Sequence, residues 1–137
     1  MAHVTVISEF MYAQQIVSGH HRLSADEPAS LGGGDSGPGP YELLLGSLGA
    51  CTSITLRMYA NRKGWELGKI TVGLRYAKRD DGEHIDRRLS FSKPVSEEQK
   101  AGLLEIAAKT PVTLTLIRGV SIETAVLAHP QAASASE

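Results

Sequence analysis

The 137 residues carry a formal net charge of −1, with 42% apolar and 21% charged residues. That balance fits one folded domain with its own core and excludes a chain disordered throughout. It also excludes a global positive field for holding nucleic acid, and aromatic residues, at 5%, are too sparse for a stacking surface. The first ten residues lack the basic start and apolar run of a secretory signal. No stretch approaches the roughly 18 apolar residues of a membrane span. A cytoplasmic protein with neither a nucleic-acid nor a membrane partner is the expectation. A single cysteine, Cys51, rules out a disulfide within the chain.

Taken in chain order, Val4–Ser8, Tyr12–Ser18 and His20–Ala25 read as three short strands with turns between them. Pro28–Pro40 is a Gly/Pro-rich connection whose ordering entropy demands either mobility or firm anchoring. A long helix is predicted from about Tyr41 to Lys63, with Pro40 at its start, Arg62 and Lys63 in its last turn and Gly64 as its stop. Leu44, Leu48, Cys51, Thr55 and Met58 follow a helical spacing and form its predicted apolar stripe. Gly46, Gly49, Ala50 and Ser53 form a stripe of small residues, which predicts close approach of another backbone. The helix is apolar around much of its girth, so a central, buried position is expected.

Lys69–Arg79 and His84–Phe91 read as two long strands turning at Asp81-Gly82. Arg75, Lys78, Arg79, Arg87 and Arg88, interleaved with Asp80, Asp81, Glu83 and Asp86, read as a solvated hairpin face. Ser96 and Gln99 form a capping box that opens a second helix, 97–109. Thr110 and Pro111 open a short third one, and Val120–Val126 reads as a final strand. The pattern is α+β: a single domain over residues 1–128, with 129–137 a frayed tail.

Candidate chemistry centres on Cys51. A free cysteine is commonly a small buried hydrophobe, and an ordinary thiol with a pKa near 8.5 is about 3% ionised at pH 7. Its helical neighbours are neutral, so reactivity requires a cation from another segment. The five histidines are dispersed and no metal-ligand spacing occurs, so neither a metal nor a cofactor is expected. First-turn and turn placement accounts for Glu42, Asp26 and Glu27 as well as any catalytic role does.

Three runs now point to a family. They are Ala25-Asp26-Glu27-Pro28, Gly37-Pro38-Gly39-Pro40-Tyr41-Glu42-Leu43-Leu44-Leu45 and Leu48-Gly49-Ala50-Cys51-Thr52. Together with Ser30-Leu31-Gly32-Gly33 and the continuation from Met58 to Trp65, they resemble the OsmC/Ohr family of osmotically inducible and organic-hydroperoxide-resistance proteins. The resemblance implies an OsmC-like fold, with antiparallel sheets wrapped around a long central helix, and an intertwined homodimer. It also implies redox chemistry in oxidative stress, in which one cysteine attacks a hydroperoxide and a second resolves the product. Cys51 falls at the attacking position. Where the family shows Cys-Pro-Val-His, this chain has Thr110-Pro111-Val112-Thr113, so Thr110 stands at the second-cysteine position and Thr113 at the histidine position. For the activating arginine and its orienting carboxylate, the resemblance offers Arg22 and Glu42. Two functions follow as expectations. One is a single-cysteine organic hydroperoxide reductase, a thiol-dependent peroxidase that uses Cys51 with an external thiol. The other is a non-enzymatic protein, binding a small hydrophobic ligand or purely structural, whose peroxidase cycle is lost.

Overall fold

A computed structural model describes residues 2–129. Apart from His129, the expected tail lies outside the described residues. The chain divides into two compact units. One spans Leu44–Ser121, and the other takes in the described residues on either side of it.

In the flanking unit, β1 (Thr5–Phe10), β2 (Ala13–Ser18) and β3 (His21–Ala25) form an antiparallel sheet in the order β1-β2-β3. The connection after β3 is anchored by Asp26, a buried carboxylate. It accepts the Ser36 hydroxyl at 2.7 Å, the Ser36 N–H at 3.1 Å and the Glu27 N–H at 2.7 Å. Gly33 passes so close to this knot that an added Cβ would lie 2.0 Å from the Glu27 carbonyl oxygen, so only glycine fits there. Among the described residues the predicted strand at 120–126 forms no ladder. Its alternating side chains stand in the open, with Ile122 85% and Val126 97% exposed. A strand exists only where a neighbour accepts and donates its ladder hydrogen bonds, and none of the described residues does so.

The long helix α1 (Pro40–Lys63) starts at the proline that suits a first turn and ends with Arg62 and Lys63 facing the negative end of its dipole. Its buried residues are Leu48, Gly49, Thr52, Leu56 and Ala60. This is an i, i+4 row that differs from the predicted stripe, of which Met58 is 60% exposed. Thr52 can lie in the core because its hydroxyl donates to the Leu48 carbonyl at 2.7 Å. At Gly49 the close neighbour is a side chain rather than the expected backbone: a Cβ there would lie 2.8 Å from a Leu74 methyl carbon. Gly46 has nothing within 4 Å. Against expectation, α1 is long and apolar enough to cross a membrane by length and composition, because its Gly, Ala, Ser and Thr residues carry almost no polarity cost. The core helix of a globular protein passes the same test, and the 48-52-56-60 row is buried in the chain itself.

In the Leu44–Ser121 unit, β4 (Ile70–Arg79) and β5 (Gly82–Phe91) form a two-stranded antiparallel hairpin. Arg79 pairs with Gly82, so the turn residues are Asp80 and Asp81, one position earlier than predicted. Gly82, at φ +127°, absorbs the backbone twist that the turn requires. Helix α2 (Glu97–Ala107) carries the predicted capping box, with the Gln99 N–H donating to the Ser96 hydroxyl at 3.1 Å and the Ser96 N–H to the Gln99 side chain at 2.9 Å. Helix α3 (Pro111–Arg118) follows after three residues. Leu56 and Ala60 of α1, Leu67, and Leu103 and Ala107 of α2 make the core, with Trp65, Leu89 and Phe91 packed on it.

Two outcomes are expected. Leu56→Ala should cost about 2–5 kcal/mol in urea unfolding, the usual cost of deleting a fully buried leucine side chain. A loss below about 1 kcal/mol would remove Leu56 from the core. The Asp26 carboxyl is held below its ordinary value of 3.8, first by the Ser36 hydroxyl and then by the Ser36 and Glu27 N–H groups. A depressed folded-state value adds stability above the unfolded pKa and loses it as pH falls through the folded one. Asp26→Asn should therefore melt earlier than the parent at pH 7, with the gap closing below about pH 4. A gap independent of pH would contradict this.

Candidate functional site around Cys51 and Arg87

Cys51 is a free, partly buried thiol near the middle of α1. Its Sγ accepts the backbone N–H of Val112 at 3.5 Å. Val112 is the second residue of α3, so this N–H is one of the first-turn donors that no helical carbonyl can take. The α3 terminus is fixed in place by Pro111, which needs no N–H partner, and by its neighbours' hydroxyls.

Those hydroxyls belong to Thr110 and Thr113. Both are buried, and their Oγ1 atoms lie 2.6 Å apart in a shared hydrogen bond. Thr110 occupies the N-cap position of α3, as expected, but its side chain does not cap the helix. Its hydroxyl is engaged with Thr113 instead.

The organising residue is Arg87 of β5. One Nη1 donates to Thr52 Oγ1 at 2.9 Å and to Thr113 Oγ1 at 2.8 Å, and Nη2 donates to the Ala107 carbonyl at 2.9 Å. One guanidinium thus ties α1, the C-terminal end of α2 and the first turn of α3 to the hairpin. It contacts the residue after Cys51 and the residue after Val112, which brackets the thiol. Burial pulls the Arg87 pKa down, and attraction to the negative charge of a Cys51 thiolate pulls it up. The guanidinium remains a cation at any physiological pH.

The sequence places Arg87 on a solvated basic face, and the structure corrects this: the side chain is part-buried and bonded to Thr52, Thr113 and Ala107. The signal was the strand period. Ile85, Arg87, Leu89 and Phe91 alternate with Asp86, Arg88 and Ser90, so Arg87 lies on the apolar face of β5. On the outer face Arg88 pairs with Asp86 at 2.9 Å, as a solvated residue should.

The other expected site residues lie in the flanking unit, each engaged locally. Arg22 donates from Nη1 to the Gly19 and His21 carbonyls, both at 3.4 Å, in the β2–β3 turn. Glu42 accepts the Gly39 N–H at 2.8 Å at the start of α1. Cys51, Thr110 and Thr113 are brought together. Among the described residues no group of three or more His, Cys, Asp or Glu side chains could hold a metal ion.

A long helix bearing a lone thiol, preceded in the chain by a three-stranded antiparallel sheet and followed by an antiparallel hairpin and two helices, is an α+β arrangement of the OsmC-like fold. The OsmC-like protein family matches residues 32–125, and the chain belongs to that family. Solved structures agree. An OsmC-like protein from Mycoplasma pneumoniae matches at TM-score 0.74 and 20% identity, over 85% of this chain and 87% of that one. A putative osmotic stress induced and detoxification response protein from Psychrobacter arcticus matches at 0.74 and 15%, over 84% and 88%. The organic hydroperoxide resistance protein OhrB of Bacillus subtilis matches at 0.58 and 23%, over 84% and 90%. No curated protein matches the chain. Within this family the chain lacks the second redox cysteine: Cys51 is its only one.

Thr52→Val keeps shape and removes an acceptor from a part-buried cation. It should cost about 1–3 kcal/mol, the penalty for leaving a buried donor unmet. Denaturant unfolding checks it, and a neutral substitution would show that Arg87 does not depend on this contact.

Proposed function

We propose that the protein is a single-cysteine organic hydroperoxide reductase that uses an external thiol, and that it works as a homodimer. The observation that carries the chemistry is the placement of the Cys51 sulfur on a free N–H of the α3 first turn, 3.5 Å away. The Arg87 cation is fixed beside it through Thr52 and Thr113. Both the helix terminus and the guanidinium favour negative charge at that sulfur.

In the proposed cycle the Cys51 thiolate attacks the terminal peroxide oxygen. The O–O bond breaks, the sulfur becomes a sulfenic acid, and the departing alkoxide takes a proton to become the alcohol. Thr110 supplies no thiol, so an external monothiol attacks the sulfenic sulfur. Water leaves and a mixed disulfide forms. A second monothiol releases Cys51 and carries off the external disulfide. One hydroperoxide and two thiols give one alcohol, one water and one disulfide.

Two surfaces support the dimer. The α1 side chains Ile54 and Met58 are 55% and 60% exposed, although they belong to the helix that builds the core. Residues 120–126 have a strand-like alternation in sequence and no ladder partner among the described residues. A second copy would cover the first and pair with the second.

Whole-protein mass spectrometry after addition of an organic hydroperoxide tests the cycle. With a monothiol present, Cys51 should carry the mixed disulfide; without one, it should advance to sulfinic acid. Cys51→Ser should abolish multi-turnover consumption. Unmodified Cys51, or consumption that survives Cys51→Ser, would refute the cycle. Sedimentation should show a dimer at micromolar concentration, with no crosslink on a non-reducing denaturing gel.

A further inference from the structure

The Leu44–Ser121 unit contains a cavity of about 1000 Å³ between β5, α2 and α3, at the upper end of small-molecule sites. Its wall is mostly apolar: Leu89, Leu103, Leu104, Leu116 and Ile117. Arg87 lies on the same wall. A guanidinium has five N–H donors. Three of them meet Thr52, Thr113 and Ala107, which leaves one on Nε and one on Nη2 without an acceptor among the described residues. Among the described residues no buried side-chain nitrogen or oxygen lacks a partner, so the unpaired Nε is not sealed in protein.

Arg87 also has no carboxylate within ion-pair distance among the described residues. The two lysines on the wall are already paired. Lys93 pairs with Glu66 at 2.8 Å, and Lys100 with Glu97 at 3.2 Å. Glu83 accepts the Tyr76 hydroxyl at 2.5 Å. It lies four residues from Arg87 along β5, about 13 Å away along the strand. While Cys51 is a neutral thiol, this partly buried cation has no counter-ion, and a carboxylate is the group whose two oxygens match paired guanidinium donors.

We propose that this cavity binds a straight-chain alkyl carboxylate, its head on the free donors of Arg87 and its chain along Leu89, Leu103, Leu104, Leu116 and Ile117. Charge complementarity selects the head, and the apolar wall selects the tail. Binding does not require Cys51 to react, so it stands or falls separately from the peroxidase cycle.

Calorimetric titration of the full chain tests this with decanoate, decanol and decyltrimethylammonium. Decanoate should bind saturably and about tenfold or more tighter than decanol, the discrimination of a charge-assisted pair. Decyltrimethylammonium should bind more weakly than decanol, and hexanoate more weakly than decanoate. Arg87→Gln should erase the preference for decanoate over decanol. Because that variant also loses the ties to Thr52 and Thr113, Leu104→Glu serves as a second probe. Leu104 is 58% exposed yet lines the cavity, so a carboxylate there should weaken decanoate severalfold without disturbing the core. Four results would overturn the proposal: no saturable decanoate binding at millimolar concentration; equal affinity for decanol; indifference to Leu104→Glu; or decanoate uptake only as a dimer dissociates, which would make the groove a subunit interface.

Discussion

A cation inside an apolar face is the constraint around which the Leu44–Ser121 unit is arranged. Arg87 comes from the inward side of β5, between Ile85 and Leu89, where an unsolvated charge would be expensive. The chain meets that demand with oxygen acceptors from three helices: the Thr52 hydroxyl of α1, the Ala107 carbonyl at the end of α2 and the Thr113 hydroxyl of α3. A helix C-terminus offers carbonyls without helical partners, so Ala107 is a natural acceptor. The geometry that satisfies Arg87 is also the geometry that sets the α3 first turn against Cys51.

The two threonines gain their significance from the same constraint. Thr110 and Thr113 stand where the family resemblance places a cysteine and a histidine. Their hydroxyls do work that neither a thiol nor an uncharged ring would do in the same way: one accepts from Arg87, and the two buried side chains share a bond. Loss of the second thiol thus accompanies a replacement polar network rather than an empty position. With Cys51 as its only cysteine, the chain cannot close a disulfide within itself.

The flanking unit depends on a different device. Asp26 gathers the N–H and hydroxyl groups of a connection rich in glycine and proline, so a segment with high conformational freedom becomes a fixed lead-in to α1. The glycines there serve close packing, as Gly33 does against the Glu27 carbonyl. Glu42 continues the same pattern by taking the Gly39 N–H.

Local signals were enough for the elements: the period of two in β4 and β5, the Ser96–Gln99 capping box, and Pro40 with Gly64 bracketing α1. They were also enough for the family, because the segment from Ala25 to Thr52 is dense in glycine, proline and small residues whose spacing the fold requires. Cys51 and the threonines at 110 and 113 could be marked from that segment and its counterpart. Local signals failed wherever a residue's environment is made by distant parts of the chain. The buried row of α1 shifted because Thr52 became core-compatible once Leu48 and Arg87 satisfied its hydroxyl. The strand expected at 120–126 has no ladder because ladder bonds need a neighbour that sequence patterning cannot provide. Arg87 looked like one basic residue among several, and its alternation with Ile85 and Leu89 showed only its side of the strand. That it meets Thr52, Ala107 and Thr113, residues 20 to 35 positions away, was decided by tertiary packing, because a hydrogen bond depends on the few ångströms between two atoms and not on the residues that separate them in the chain.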